Sequence, residues 1–436
     1  MQGRKESDGS RRTLSIIFFT VFVDMLGFGI LIPVIPQVLA NPASPFYIFP
    51  PGGDVGYGYI ILGFLIAAYP LAQFMAAPIL GQLSDKHGRR RLLALSLAGT
   101  AISYVIFAFA IVTRNIPLMF AARILDGVTG GNISIAQAAI ADVTAPKDRA
   151  KSFGLIGTAF GLGFILGPFI GGELSNPAIL PWFDAATPFF FAAVLAALNT
   201  ASVLLWMPET LVHRKAIDIR VGQALRNVGK AFSLKSTRTL FLTIFLFTAG
   251  FTFFTTFFGV YLIHQFGFTQ SMIGEFFAFV GIWVAFTQSV LIRKVASRYS
   301  MHTILRASLF GVGIMLAAFL LPNIWWELLF IVPFFAFFNG LAQANSIGLV
   351  SASALPSEQG QMLGLSASVQ ALAQSIPPIL SGYLAASITP EAPVAVASVI
   401  VIVSAVVFWM SCKPCPPKSE PLPPLAARGM EPFIEE

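Results

Sequence analysis

Apolar runs of about 18 residues or more, separated by short polar stretches, recur along almost the whole chain. As helices, runs of that length cross a hydrocarbon core of about 30 Å. The pattern predicts about twelve spans, at 13–40, 57–84, 91–113, 115–143, 151–175, 184–207, 238–264, 270–297, 302–321, 325–353, 360–386 and 392–412. The polar stretch ahead of the first span, MQGRKESDGSRR, reads as a tail. The run that follows it is too long, and too poor in a small-residue cleavage site, for a removable leader, so it reads as the first anchored helix.

Composition sharpens the class. The chain is 56% hydrophobic and 11% charged, where soluble domains carry about a quarter charged residues. The distribution of that charge then sets topology. Basic residues gather in the N-tail, in every second loop (Lys86 to Arg91, Lys147 to Lys151, Arg293 to Arg306), in the central linker and in the C-tail. Of the 27 Lys and Arg, only Arg114 and Arg123 fall elsewhere. Short basic loops stay on the cytoplasmic side, so both termini are expected there, in the inner or plasma membrane. The net charge of +7 is then explained by topology and anionic lipid, and calls for no nucleic-acid partner.

The expected architecture is an all-α integral membrane protein of about twelve transmembrane helices, in two pseudo-symmetric six-helix bundles around a central cavity. The divisions are an N-tail (1–12), a first bundle (13–207), a linker (208–237), a second bundle (238–412) and a tail (413–436). An internal repeat supports this. PKDRAKSFGLIGTAFGLGFILGPFIGGEL from Pro146 aligns without gaps to PSEQGQMLGLSASVQALAQSIPPILSGYL from Pro356, matching Pro168 with Pro378 and Gly172 with Gly382. Repeated halves around a shared cavity are a transporter plan.

Ionisable residues inside spans mark function by default. Asp24 falls near the middle of the first span, within DMLGFGILIPVIP, whose prolines introduce bends. The fourth span carries RILDGVTGGNISIAQAAIADVT, where Arg123, Asp126, Gly130, Ser134 and Gln137 form one polar stripe. An Arg123–Asp126 pair at i,i+3 can simply satisfy both charges. If Asp24 shares their cavity, two acids face one base, and one acid must take a proton or meet a cation. The second half offers Phe254 within a Phe-rich stripe, Glu275, Asn339, Gln343, Gln370 and Gln374 as neutral or outer-facing substrate contacts, alongside Ser134 and Gln137. Most of those Phe side chains are expected to face lipid or to pack. No catalytic triad, phosphate loop or metal-ligand cluster is present, and CKPC at Cys412 and Cys415 has no second pair. No enzyme, metal or cofactor is expected.

GQLSDKHGRRRLL joins the second and third spans. Gly81 allows close approach, Asp85 suits the positive end of another helix, Gly88 permits a tight turn, and Arg89, Arg90 and Arg91 are expected to face lipid headgroups. This spacing matches G-x-L-x-D-x-x-G-R-[RK], and the chain here resembles the major facilitator superfamily. The resemblance implies that Gly81, Asp85, Gly88, Arg89 and Arg90 gate the cytoplasmic side. GFILGPFIGG, with Gly163, Gly167, Pro168, Gly171 and Gly172, matches the family's antiporter pattern, physically a packing groove. The resemblance covers about residues 13–412 and is nearest to the tetracycline-resistance and multidrug proton antiporters. It implies Asp24, Arg123 and Asp126 as proton-coupling residues, with Asp126 departing from the uncharged residue usual there. The gating loop's second-half copy, LIRKVASRYSMHT, lacks the acid and glycine.

The expected function is export of a small amphiphilic organic compound, driven by an inward proton gradient, by a protein acting as a monomer. The alternatives are proton symport or facilitated diffusion of a sugar, organic acid or metabolite, and a non-transporting sensor or scaffold using the linker and the Pro-rich tail.

Overall fold

The computed structural model describes residues 2–50, 52–144, 149–211, 222–234, 237–353 and 359–411. Among them there is helix and no strand. The first bundle comprises α1 (Gln2–Leu39), α2 (Val55–His87), α3 (Arg89–Val112), α4 (Ile116–Thr129), α5 (Asn132–Val143), α6 (Arg149–Leu174) and α7 (Thr187–Trp206). A short helix, α8 (Gln223–Ser233), precedes the second bundle. That bundle holds α9 (Arg238–Phe266), α10 (Gln270–Phe286), a π turn at Thr287–Leu291, α11 (Ile292–Ala296), α12 (Met301–Ala318), α13 (Leu328–Ala352), α14 (Gln359–Ser375), α15 (Pro377–Ser387) and α16 (Ala392–Ser411). Ten helical segments are long and apolar enough to cross a membrane. The fourth and eleventh passes are each assembled from two shorter pieces, α4 with α5 and α14 with α15.

Both breaks have local causes. Thr129-Gly130-Gly131 interrupts the expected single span at 115–143, because two adjacent glycines are poor in a helix interior. In the eleventh pass, Pro377 and Pro378 supply no backbone N–H, so α15 restarts with proline in its first turn. Two further differences concern the polar ends. α1 begins at Gln2, so the N-tail extends the helix, and α8 forms inside the linker as a short amphipathic helix. Its Ala231 and Phe232 pack with Phe241, Ile244 and Val369 of the second bundle, and Asn227 donates to the Ser368 hydroxyl at 3.2 Å. The loop at 145–148, residues 354–358 at the head of the repeat's second copy, most of the linker's basic residues and the tail with Cys412 and Cys415 lie outside the described residues.

Each bundle has its own apolar centre. Leu26, Ile30, Val34, Phe107 and Phe189 lie in the first. In the second, Phe254, Phe258, Phe277, Phe319 and Phe335 are all buried. The Phe stripe of α9 therefore faces the bundle interior, not lipid, because partner phenyl rings from α10, α12 and α13 meet it there.

The halves touch most closely through two seams, α6 with α10 and α2 with α15, and Gln37 of α1 also donates to the Phe268 carbonyl at 2.8 Å. At the end of the molecule away from the basic loops, the far end, these seams are images of each other. A Cβ on Gly63 of α2 would lie 2.4 Å from the Pro378 carbonyl oxygen, and one on Gly274 of α10 would lie 2.6 Å from that of Pro168. Gly382 and Gly172 repeat the pattern, at 2.7 Å from the Tyr59 oxygen and 2.6 Å from the Gln270 oxygen. The aligned repeat is thus a structural one, reaching beyond the helices that revealed it. Towards the basic end the fit loosens: Gly157 and Gly161 of α6 and Gly364 of α14 have nothing within 4 Å of an added Cβ. Also at the far end, His264 Nδ1 and Glu391 Oε1 stand 2.8 Å apart. Burial works against the charged Glu391 carboxyl, but a backbone N–H, Thr389 and His264 outweigh it and hold the group below the usual range.

One local mismatch separates the halves. α3 starts at Arg89 and α12 at Met301, yet one residue more lies between Gly274 and Met301 than between Gly63 and Arg89. The π turn at Thr287–Leu291 absorbs that extra residue, as an insertion into a helix does.

Candidate functional site

The charged cluster sits inside the first bundle. Arg123 Nη1 lies 3.0 Å from Asp126 Oδ2, one helical turn further along α4, and both residues are about 95% buried. The i,i+3 pair anticipated from spacing therefore forms. The guanidinium also stacks over the Tyr69 ring of α2, 4.7 Å from its centroid, a cation–π contact. Gln73, one turn from Tyr69, donates to the Tyr69 hydroxyl at 2.9 Å and to the Gly130 carbonyl at 2.6 Å, so α2 grips the broken pass at its break. The hydroxyls of Ser103 and Thr100 from α3 stand beside the Asp126 carboxylate. The space lined by Leu31, Tyr104, Phe107, Arg123 and Asp126 has no room for a water molecule. Arg123 Nε has no hydrogen-bond partner.

Asp24 of α1 is half-buried and close enough to Asp126 for the two carboxylates to repel. It faces the Asn132 amide from outside hydrogen-bond geometry, so both amide atoms of that buried Asn lack a partner. Asn132 is the first residue of α5, which turns the positive end of that helix's dipole towards the acid. Two acids and one base thus stand close together, the Arg123–Asp126 pair beside a dry space and Asp24 half-buried near it, with net charge −1 when all are ionised.

Sequence reasoning missed Tyr69, Gln73, Thr100, Ser103 and Asn132. A signal was present: Tyr69 with Gln73, and Thr100 with Ser103 and Tyr104, are polar groups at helical spacing in otherwise apolar spans.

The gating loop departs from expectation in two ways. Asp85 does not cap another helix; it pairs with Arg89 at 2.5 Å, one turn on. Arg89 does not face lipid. It is buried, 3.2 Å from Asp142 at the end of α5, and bonds Ser84. Its backbone N–H donates to Glu209 just after α7, and Glu209 accepts from Thr210 and Leu211 as well. A buried guanidinium needs acids on more than one side, and Asp85 and Asp142 supply them, while Glu209 holds the backbone at the same residue. Gly88 adopts φ +105°, which the turn between α2 and α3 requires. Arg90 bonds the Leu204 carbonyl, and Gly81 has only Ser134 Oγ nearby, at 3.9 Å.

Gly163, Gly167 and Gly171 form the expected groove, and α1 fills it: Cβ atoms there would meet Met25, Leu26 and Ile30 within 2.5–2.8 Å. The stripe therefore packs within its own half, while Phe164, Ile165, Pro168 and Gly172 of the motif reach the other half. The remaining candidates scatter. Gln137, Glu275, Gln343 and Gln374 are exposed, Ser134 bonds back to the Gly131 carbonyl, and Gln370 donates to Ser366. Phe254 and Asn339 come together, lining an aromatic cavity of the second bundle to which Phe164 of α6 adds one ring.

Two six-pass bundles with a buried charge cluster in one of them define a multi-pass membrane protein of transporter architecture. The Major Facilitator Superfamily model matches residues 17–335 and 294–435, and the chain belongs to that family. It is 28% identical over 377 residues to the class H tetracycline resistance protein of Pasteurella multocida, covering 86% of this chain and 89% of that one. It is also 28% identical over 418 residues to the human Major facilitator superfamily domain-containing protein 10, covering 85% and 87%. In fold it resembles the crystal structure of the human organic anion transporter MFSD10 (TETRAN), with TM-score 0.69 and 24% identity over 92% of this chain and 99% of that one. A D-xylose-proton symporter shares the fold at TM-score 0.70 and 14% identity, over 90% and 97%. These relatives are transporters.

Proposed function

We propose that this protein is a proton-coupled antiporter that exports a small amphiphilic organic compound by alternating access. The observation that carries the reading is the dry Arg123–Asp126 pair with Asp24 facing it across α1 and α4. Arg123 offsets one acid. The other leaves a charge that a proton or a cationic group on the substrate balances, and the two exclude each other, which is the logic of exchange. With the basic loops placed on the cytoplasmic side, the tight glycine seams close the outer face and the looser end faces the cytoplasm. The proton gradient supplies the energy and no cofactor takes part. The class H tetracycline resistance relative supports the direction and substrate class.

One observation favours a second reading: the similarity to MFSD10, whose structure is titled an organic anion transporter. A single assay separates the two. Purified protein is placed in liposomes holding a pH dye and challenged with tetracyclines, cationic aromatic drugs, organic anions and sugars. Drug entry that drives protons out of the lumen, lost in Asp24→Asn, is the expected result. Lumen acidification on adding organic anions or sugars, or an indifferent Asp24→Asn, overturns the antiport reading.

A further inference from the structure

The second bundle contains an uncharged image of the charged site. Asp126-Gly127 on α4, with Asn132 beyond, is matched at the same spacing on α13 by Asn339-Gly340 and Asn345. α13 packs on α10 and α12 as α4 packs on α2 and α3. Phe107, eighteen residues on from the start of α3, lines the space beside Asp126; Phe319, equally far from the start of α12 and just past its end, lines the space beside Asn339. What differs is chemistry. The salt-bridged acid has become an amide, and the ring-and-guanidinium stack has become a set of phenyl rings.

That replacement leaves a specific vacancy in bonding. Asn339 is 5% exposed and its Oδ1 has no hydrogen-bond partner, which for a buried carbonyl oxygen is costly. It lines a cavity walled by Phe254, Phe258, Phe277, Phe319 and Phe335. As it stands, the cavity offers about 20 Å³ of water-sized space, enough for one water molecule and not for an organic compound. Its α10 wall leads into the π turn, where Thr287 has a buried, unpartnered hydroxyl and rests against Gly340. π turns inside helices gather at functional positions, and this one adjoins the cavity.

The geometry points to this aromatic cavity as a substrate subsite for a planar aromatic group that carries an N–H donor and is neutral or cationic. Phenyl faces attract a flat, positively polarised ring. Asn339 Oδ1 accepts its N–H. No cationic side chain lines the cavity, so an aromatic carboxylate finds no counter-charge there. The inference rests on the proposed export of an amphiphilic compound and assigns the end of the molecule that the second bundle grips, opposite the proton site of the first. Opening requires rotation of the phenyl rings with a shift of α10 at its π turn.

The test is equilibrium dialysis of full-length protein in nanodiscs, without a proton gradient, against empty nanodiscs. Three probes are used: ethidium (planar, cationic, with amino N–H donors), tetraphenylphosphonium (cationic, no donor) and naphthalene-2-carboxylate. Asn339→Leu removes the acceptor while keeping the branching at Cγ, and because it replaces an unpartnered polar atom it is expected to fold. The expected result is saturable ethidium binding that weakens about tenfold in Asn339→Leu, unchanged tetraphenylphosphonium binding, and no naphthoate binding. Phe258→Ala weakens both cations. No saturable ethidium binding, equal loss of both cations in Asn339→Leu, or a preference for naphthoate overturns the subsite. Proton flux in liposomes keeps the two readings apart. Unchanged ethidium affinity in Asn339→Leu with intact proton counterflow sinks the subsite alone, and weakened affinity without any counterflow sinks antiport alone.

Discussion

A methyl group at Gly63 would convert a structural contact into a conformational bias. Its carbon would lie 2.4 Å from the Pro378 oxygen and 3.2 Å from Gly382 Cα, all backbone, where no side chain can swing aside. Ordinary contact begins near 3.4 Å, so α2 and α15 must separate by about an ångström. Overpacking of this kind costs about 1–3 kcal/mol. The cost falls on the form with the far end closed and vanishes once the seam parts. Gly63→Ala therefore shifts the equilibrium towards an open far end by roughly 5- to 150-fold. Spin labels at the exposed positions Asp54 and Ile388 straddle the seam, and double electron–electron resonance in nanodiscs reads their separation. A longer-distance population should grow in Gly63→Ala and in Gly274→Ala, its image, and stay flat in Gly157→Ala, where an added Cβ meets nothing. An unchanged distance distribution in a folded Gly63→Ala protein would refute the bias.

Further outcomes follow from other contacts. Arg123→Leu leaves Asp126 buried and uncompensated, a loss of about 3–5 kcal/mol visible as a lower Tm, whereas adding Asp126→Asn restores most of the stability without restoring transport. Arg123→Lys keeps the charge but forfeits the stack on Tyr69, so flux should fall while Tm changes little. Glu209→Ala strands three backbone N–H donors at the basic end, Arg89 among them, costing about 1–3 kcal/mol and raising trypsin sensitivity of the α2–α3 turn. A carboxyl held below its ordinary range stabilises the fold above that range and stops doing so as pH falls through its folded value. The Glu391 contribution should thus be present at neutral pH and fade in acid. His264→Ala should flatten that acid limb of the Tm profile, by less than about 1 kcal/mol because the pair is solvated.

Much of this architecture was legible because hydrocarbon imposes a crude rule. Length and apolarity place the passes, and basic loops mark one end. Arg123 and Asp126 were legible as a pair because helical spacing alone puts them in reach. What sequence could not supply was partnership between distant segments. Arg89 looked like a headgroup contact because its loop is basic, yet Asp142, far along the chain, draws its guanidinium inward, and Glu209 anchors its backbone N–H. Phe254 was a substrate candidate on a stripe expected to face lipid or to pack, and composition could not choose between lipid surface and the aromatic core where it lies. The glycines of α6 did advertise a groove, but not that α1 would lie in it. The breaks at Gly130-Gly131 and before Pro377 were written in the sequence as known helix-weakening residues, and periodicity over the whole span masked them.

The two far-end seams share a backbone outline, yet their side chains treat them unequally. Between α6 and α10, Asn176 donates to Ser271 at 2.9 Å and Gln270 to the Ser175 carbonyl at 3.2 Å. Between α2 and α15, among the described residues, Phe64 meets Tyr383 edge-on and the rest is plain contact. One seam is stitched and the other merely pressed together. When the bundles swing, the pressed edge gives way first while the stitched edge serves as a pivot, so the far end parts on one flank before it widens on the other.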